Sequence, residues 1–158
     1  MPKENYLLWE QWNTNNLPKN ARDQLLYLAQ AGRLAANIHN CAPDTYEIHG
    51  RKLHIRPREN YSLPHSDPQR YNLWVSLGCV ALNIEAAAAK HNINTRVRVE
   101  NGEVVIDTGV DNLDEGLPDL ADQITRRYSN KGLYNAEKKI AAEILEEFVE
   151  AGGKYATT

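Results

Sequence analysis

Apolar residues are densest between Ser66 and Asn92, SDPQRYNLWVSLGCVALNIEAAAAKHN. The pattern predicts one long helix. Ser66 followed by Gln69 is a capping-box start, and Asp67 and Pro68 suit a first turn. Leu73, Leu77, Val80, Ala81, Ile84, Ala87 and Ala88 fall at helical spacing on one face. Trp74, Val75, Gly78, Leu82 and Ala89 fill much of the other. A surface helix carries polar residues there, so this one is central or lies in a subunit interface. Gly78 weakens the helix by about 1 kcal/mol relative to alanine. Close helix packing explains a glycine at that position, and so does the approach of a flat ligand or a partner backbone.

Elsewhere the pattern alternates between helix and hairpin. Residues 1–17 form an Asn-rich arm carrying Trp9 and Trp12. Pro18 to Ala36 is a helix candidate buried through Leu25, Leu26, Leu28, Ala29, Leu34 and Ala35. Thr45–His49 and Lys52–Arg56 flank Gly50-Arg51 as a hairpin, with Tyr46, Ile48, Leu53 and Ile55 on one face. A second hairpin joins Thr95–Glu100 to Glu103–Asp107 through Asn101-Gly102, a pair favoured in type I′ turns. Pro118–Tyr128 reads as a short helix, and Asn135 as the cap of a last helix over 136–151. Gly152-Gly153 ends it. This order predicts an α+β fold with an antiparallel or mixed sheet of hairpins around a long central helix. The expected division is an arm at 1–17, one domain at 18–151 and a tail at 152–158.

Bulk composition narrows the function classes. The 158 residues suit one domain with a real core, and 42% hydrophobic with 25% charged residues is ordinary for a globular chain. A net charge of −3 gives no electrostatic reason to expect nucleic acid or an anionic membrane. No apolar run is read as spanning a bilayer, and MPKENYLLWEQWN lacks a signal-peptide core. Cys41 and Cys79 form neither a C-x-x-C pair nor a disulfide framework. Together these point to the cytoplasm.

Few residues advertise chemistry. Histidines 39, 49, 54, 65 and 91 show no metal-ligand spacing, and no metal is expected. There is no G-x-S-x-G, G-x-G-x-x-G or Walker loop, so no catalytic residue is assigned. His39-Asn40 sits in a helix-to-strand loop, where neutral His and Asn can bond a heterocycle edge or simply make a turn. Lys52, His54, Arg56 and Arg58 form a basic stretch, either a solvated face or an anion site. Arg126-Arg127-Tyr128-Ser129-Asn130-Lys131 suits a phosphate grip, though arginine after a helix also answers its dipole.

Taken in order, several segments resemble the FMN-dependent nitroreductase family. Ala35-Ala36-Asn37-Ile38-His39-Asn40-Cys41-Ala42-Pro43 is similar to its A-P-S-x-x-N-x-Q-P-W segment. Asp67-Pro68-Gln69-Arg70 with Ser76-Leu77-Gly78-Cys79-Val80-Ala81-Leu82-Asn83 resembles its D-P-x-R…S-x-G-A-A-x-x-N helix. Ile124 to Lys131 resembles its R-R-x-T-N-R segment. The nearest branches are the Acg-like proteins and the domains linked to ThiF-type adenylating enzymes. The resemblance implies a nitroreductase-like fold and a homodimer with FMN at the interface. It also implies hydride transfer from NAD(P)H to an electron-poor small molecule. Arg126, Arg127 and Lys131 would hold the phosphate, Asn40 and His39 would face the ring, and Gly78 would leave room on the helix.

The chain departs from the family pattern at Asn37 for Ser, Ala42 for Gln, Asp44 for Trp and Lys131 for Arg. Its arginine segment also lies late, as in a reduced member, a fragment or half of a duplicated arrangement. Those departures keep open a non-catalytic domain that binds flavin or a partner. Independently of the resemblance, the apolar coverage of the 66–92 helix leads to an expected homodimer built on that helix.

Overall fold

In the computed structural model the central helix starts later than its capping box suggests. The structure describes residues 7–37, 41–58, 61, 63–111, 118–127, 132, 133, 135 and 137–153. The chain divides into two compact units, Met1–Arg127 and Tyr128–Thr158. The first unit contains α1 (Leu7–Gln11), α2 (Ala21–Arg33), β1 (Asp44–His49), β2 (Lys52–Pro57), α3 (Tyr71–Lys90), β3 (Arg96–Glu100), β4 (Glu103–Asp107) and α4 (Pro118–Ala121).

The start of α3 is decided by Asp67. Its buried carboxylate accepts from the backbone N–H of Asn72 (3.1 Å) and of Leu73 (3.0 Å). Two of the donors left open at a helix start are thereby satisfied. Arg70, just before the helix, adopts a left-handed φ of 60° and breaks the helical path from Ser66. The inward face of α3 is the one the periodicity marks: Leu73, Leu77, Val80, Ala81, Ile84, Ala87 and Ala88 are all buried.

Helix α2 packs on that face. Asn20 caps it by accepting from the Asp23 N–H at 2.9 Å, so the helix begins three residues after Pro18. Near its end, Gly32 lies directly against α3. A Cβ placed there would meet Ile84 Cδ1 at 2.9 Å and Val80 Cγ1 at 3.1 Å. Asn83 of α3 donates to the Ala31 carbonyl beside it at 3.0 Å. Gly78 is the opposite case, because a Cβ there meets nothing within 4 Å.

The four strands form one antiparallel sheet in the order β1-β2-β4-β3, which gives an α+β fold. Both hairpins form as the sequence indicates. Asn101 and Gly102 take φ of 51° and 77°, the positive values a type I′ turn requires. The inner face of the sheet buries Leu53, Ile55, Val104 and Ile106 in one core with α2 and α3. The arm joins this core through Trp12. Its ring stacks on Tyr27 at 5.3 Å, and its indole N–H donates to the Tyr27 carbonyl at 3.2 Å. Burial lifts the Tyr27 phenol to about 12.

Helix α4 is shorter than the reading of 118–128. It ends at Ala121 and continues as turns in which the N–H groups of Arg126 and Arg127 both reach the Gln123 carbonyl. In the second unit α5 (Ala142–Gly153) begins well after Asn135, whose side chain accepts from the Glu137 N–H at 2.9 Å. Its Ile144, Leu145, Phe148 and Val149 are exposed.

Asp67→Ala removes the acceptor for two orphan N–H groups. It is expected to lower unfolding stability by about 0.5–2 kcal/mol. Urea denaturation monitored by circular dichroism measures this, and an unchanged midpoint would show that α3 does not rely on the cap.

Candidate functional site

The crossing of α2 over α3 forms the floor of a groove of about 750 Å³, with Gly32 and Val80 in its wall. That volume lies within the range of about 300–1,000 Å³ typical of small-molecule sites. Trp9 comes from α1, and Arg33 from the last turn of α2. Asn37 closes the following loop by accepting from the Ala42 N–H at 3.1 Å, and Ala42 itself takes a left-handed φ of 42°. That turn delivers Asp44 to the head of β1 and aims Tyr46 into the groove. Arg58 enters from beyond β2, where its N–H donates to the Pro43 carbonyl at 2.7 Å.

The polar content of the groove is unbalanced. The Tyr46 hydroxyl is shut off from solvent and has no hydrogen-bond partner in good geometry among the described residues. Burial pushes its pKa far up, the Asp44 carboxylate raises it further by its charge and as a loosely placed hydrogen-bond acceptor, and the Arg33 charge opposes them. The phenol therefore stays protonated and can donate. Arg33 and Arg58 are exposed at the rim and make no salt bridge among the described residues. An aromatic wall, a shielded O–H and two guanidinium groups suit a planar ligand with an anionic tail.

Arg127 reaches the same groove from 93 residues away in sequence. Its guanidinium donates to the Leu34 carbonyl at 3.2 Å and lies 5.4 Å from the Trp9 ring centre. Leu34 and Trp9 both line the groove. The structure thus brings Arg127 to the groove that Asn37, Ala42 and Asp44 line, positions the sequence singled out separately. Arg126 faces elsewhere. Its charge helps hold Asp122 below the usual carboxylate range, after the larger effect of Lys90, which bonds Asp122 at 2.8 Å. Gly78 is exposed and does not line the groove. His39, Asn40 and Lys131 lie outside the described residues. Trp9, Arg33 and Tyr46 were not marked as site residues by the sequence. The Trp in a polar arm was the available signal, whereas Tyr46 reads there simply as an inward strand position.

The basic stretch on β2 resolves into two environments. Arg58 belongs to the groove. Lys52, His54 and Arg56 lie on the outer sheet face among acids: His54 bonds Glu103 at 2.8 Å, Arg56 bonds both Glu103 and Glu47, and Lys52 lies 3.8 Å from Asp107. His49 and His54 meet edge to face at 4.8 Å across the hairpin. Among the described residues no three His, Cys, Asp or Glu side chains are grouped to hold a metal ion. The outer face is therefore an ion-paired surface, with its cations already answered by carboxylates.

No protein-family model, curated protein or solved structure matches this chain.

Glu103 joins β2 to β4, and its carboxyl sits below the ordinary value of 4.5, first through Arg56 and then through His54. A depressed folded-state pKa stabilises the fold above the unfolded value, and the gain disappears as pH falls through the folded value. Thermal stability of the wild type should therefore drop more steeply than that of Glu103→Gln as pH is lowered below about 4.5. Parallel slopes for the two proteins would remove Glu103 from the acid response.

Proposed function

We propose that the groove binds a planar heterocycle bearing a phosphate, of the flavin mononucleotide class, and that the protein is a nitroreductase-like FMN-dependent oxidoreductase. The observation that carries this reading is the convergence of Trp9, Tyr46, Arg33 and Arg58 on one groove, with Arg127 seated on Trp9. The groove residues fit such a group. Trp9 offers a face for stacking. Arg33 and Arg58 are the phosphate partners, with Arg127 behind them holding the Trp9 ring. Arg126, Lys131, Asn40, His39 and Gly78 belong to this reading by family resemblance alone. When bound, the flavin would accept hydride from NAD(P)H and pass it to an electron-poor small molecule. The chain's own part is to bind, orient and shield it.

One observation favours the alternative of a non-catalytic flavin-binding domain. Asp44 lines the groove beside Tyr46, and a carboxylate there opposes the added negative charge of a reduced flavin. Asp44 also begins β1, so its position has a structural reason of its own.

FMN titration followed by flavin fluorescence tests the site. Arg33→Ala and Arg58→Ala should each weaken binding by about tenfold to a hundredfold, the loss of one charge-assisted bond of roughly 1.5–3 kcal/mol. Arg56→Ala, on the outer sheet face, should leave it unchanged. No FMN binding to the wild type, or equal losses at all three arginines, would overturn the assignment. Bleaching of bound flavin by NAD(P)H then separates the oxidoreductase from the binding domain.

A further inference from the structure

A second cavity, of about 210 Å³, opens where α2, the first hairpin turn, the loop after α3 and the chain after β4 meet. It shares no lining residue with the groove. Its volume falls below the range of about 300–1,000 Å³ of drug-sized sites, so it suits a small metabolite. Leu25 and Leu28 of α2, with Ile93 and Val110, make its apolar side. Arg51, in the hairpin turn, brings its charge. That side chain is held in place. Its guanidinium donates to the Thr108 carbonyl at 2.8 Å, and the Thr108 N–H and hydroxyl donate back to the Arg51 carbonyl at 3.0 and 2.9 Å. The clamp uses one of several guanidinium donors, and Arg51 makes no salt bridge among the described residues. Asp107, next to Thr108, is engaged elsewhere: it accepts from the Gly109 N–H at 2.8 Å and lies 3.8 Å from Lys52. The rest of the polar lining is mostly carboxamide. Asn92 takes the left-handed φ of 55° that ends α3, where the Ile93 N–H reaches back to the Ala88 carbonyl at 3.0 Å. That turn uses backbone only, and the side chains of Asn92 and Asn94 make no hydrogen bond to a described residue. Gln24 donates through Nε2 to the Pro18 carbonyl at 3.1 Å and keeps its side-chain oxygen as an acceptor.

We propose that this cavity binds a small aliphatic hydroxycarboxylate. Each part of such a molecule has a counterpart in the lining. The open N–H groups of Arg51 match a carboxylate, the group that a guanidinium fork recognises best after phosphate. Carboxamides both donate and accept, so Gln24, Asn92 and Asn94 suit a hydroxyl. Leu25, Leu28, Ile93 and Val110 cover a short branched chain. The charge balance selects further. One cation faces the cavity and no acid lines it among the described residues, which matches a single negative charge. An amino acid would add an ammonium with no carboxylate to answer it, and burying such a charge unpaired is unfavourable. Because the cavity is separate from the groove, this binding and FMN binding can fail independently.

The test is a titration of the full chain with 2-hydroxy-4-methylpentanoate, followed by amide NMR shifts. Saturable shifts are expected at Arg51, Asn92, Asn94 and Thr108, with a Kd of about 1 mM or tighter. The uncharged 2-hydroxy-4-methylpentanamide and free leucine should each bind about tenfold more weakly or worse. Arg51→Gln should weaken binding about tenfold to a hundredfold. Arg98→Gln should leave it unchanged, since Arg98 is an exposed cation on β3 that makes no salt bridge among the described residues. Arg51 also clamps Thr108, so Val110→Trp supplies a second reading that keeps the arginine. It fills the cavity and should abolish binding with an unchanged circular dichroism spectrum. No saturable shift up to about 10 mM, equal losses at Arg51 and Arg98, or binding that survives Val110→Trp would each overturn the proposal. Binding of the amide or of leucine as tight as that of the acid would overturn the ligand class.

Discussion

The close packing of α2 on α3 turns on a missing methyl group. Gly32 lets α2 approach α3 so closely that even a Cβ would press on Ile84 and Val80. At that point the Asn83 amide donates to the Ala31 carbonyl, so the close approach is also a polar clamp. Interiors are packed too densely to absorb a change at such a contact without a shift. Two consequences follow from the one crossing. It fixes which face of α3 is buried, and so turns Tyr71, Val75, Gly78 and Leu82 outward. It also forms the wall between α2 and β1 where Arg33, Asp44 and Tyr46 gather.

Charge is distributed in a way that separates the two sides of the sheet. On the outer face the cations of β2 find carboxylates on β1 and β4, with Glu103 answering both His54 and Arg56. The exposed Arg56–Glu47 pair contributes little, whereas the buried Glu103 carboxylate links two strands through His54 and Arg56. In the groove the balance is different. Arg33 and Arg58 stand over an aromatic wall, and Asp44, the nearby acid, faces the Tyr46 hydroxyl. Two guanidinium groups with no salt-bridge partner among the described residues, set beside an aromatic wall, are the physical basis for reading the groove as a site.

Local signals were legible in the chain, and contacts between distant segments were not. The inward face of α3 follows from helical periodicity, and the second hairpin from Asn101-Gly102. The beginning of α3 did not follow, because a capping box at Ser66 is outweighed by a buried Asp67 carboxylate and a left-handed Arg70. Gly78 drew attention because it interrupts the most apolar helix, yet Gly32 makes the close contact. Which glycine matters is a property of the facing helix, and one strand of sequence does not contain that information. The same holds for the basic hairpin face, whose partner Glu103 lies 49 residues from His54. Arg127 was marked from its composition, but its seat on Trp9 needed the fold.

The dependence on the Gly32 crossing is tested most directly by a double-mutant cycle with Ile84. Ile84→Val deletes Cδ1, the atom 2.9 Å from a Cβ at Gly32. Unfolding free energies are measured for the wild type, Gly32→Ala, Ile84→Val and the double variant. The account predicts that the double variant is more stable than the sum of the single changes by about 0.5–2 kcal/mol, since the added methyl enters the space that the deleted one leaves. Additivity within about 0.3–0.5 kcal/mol would contradict it, and would mean that α2 and α3 do not press together at this point.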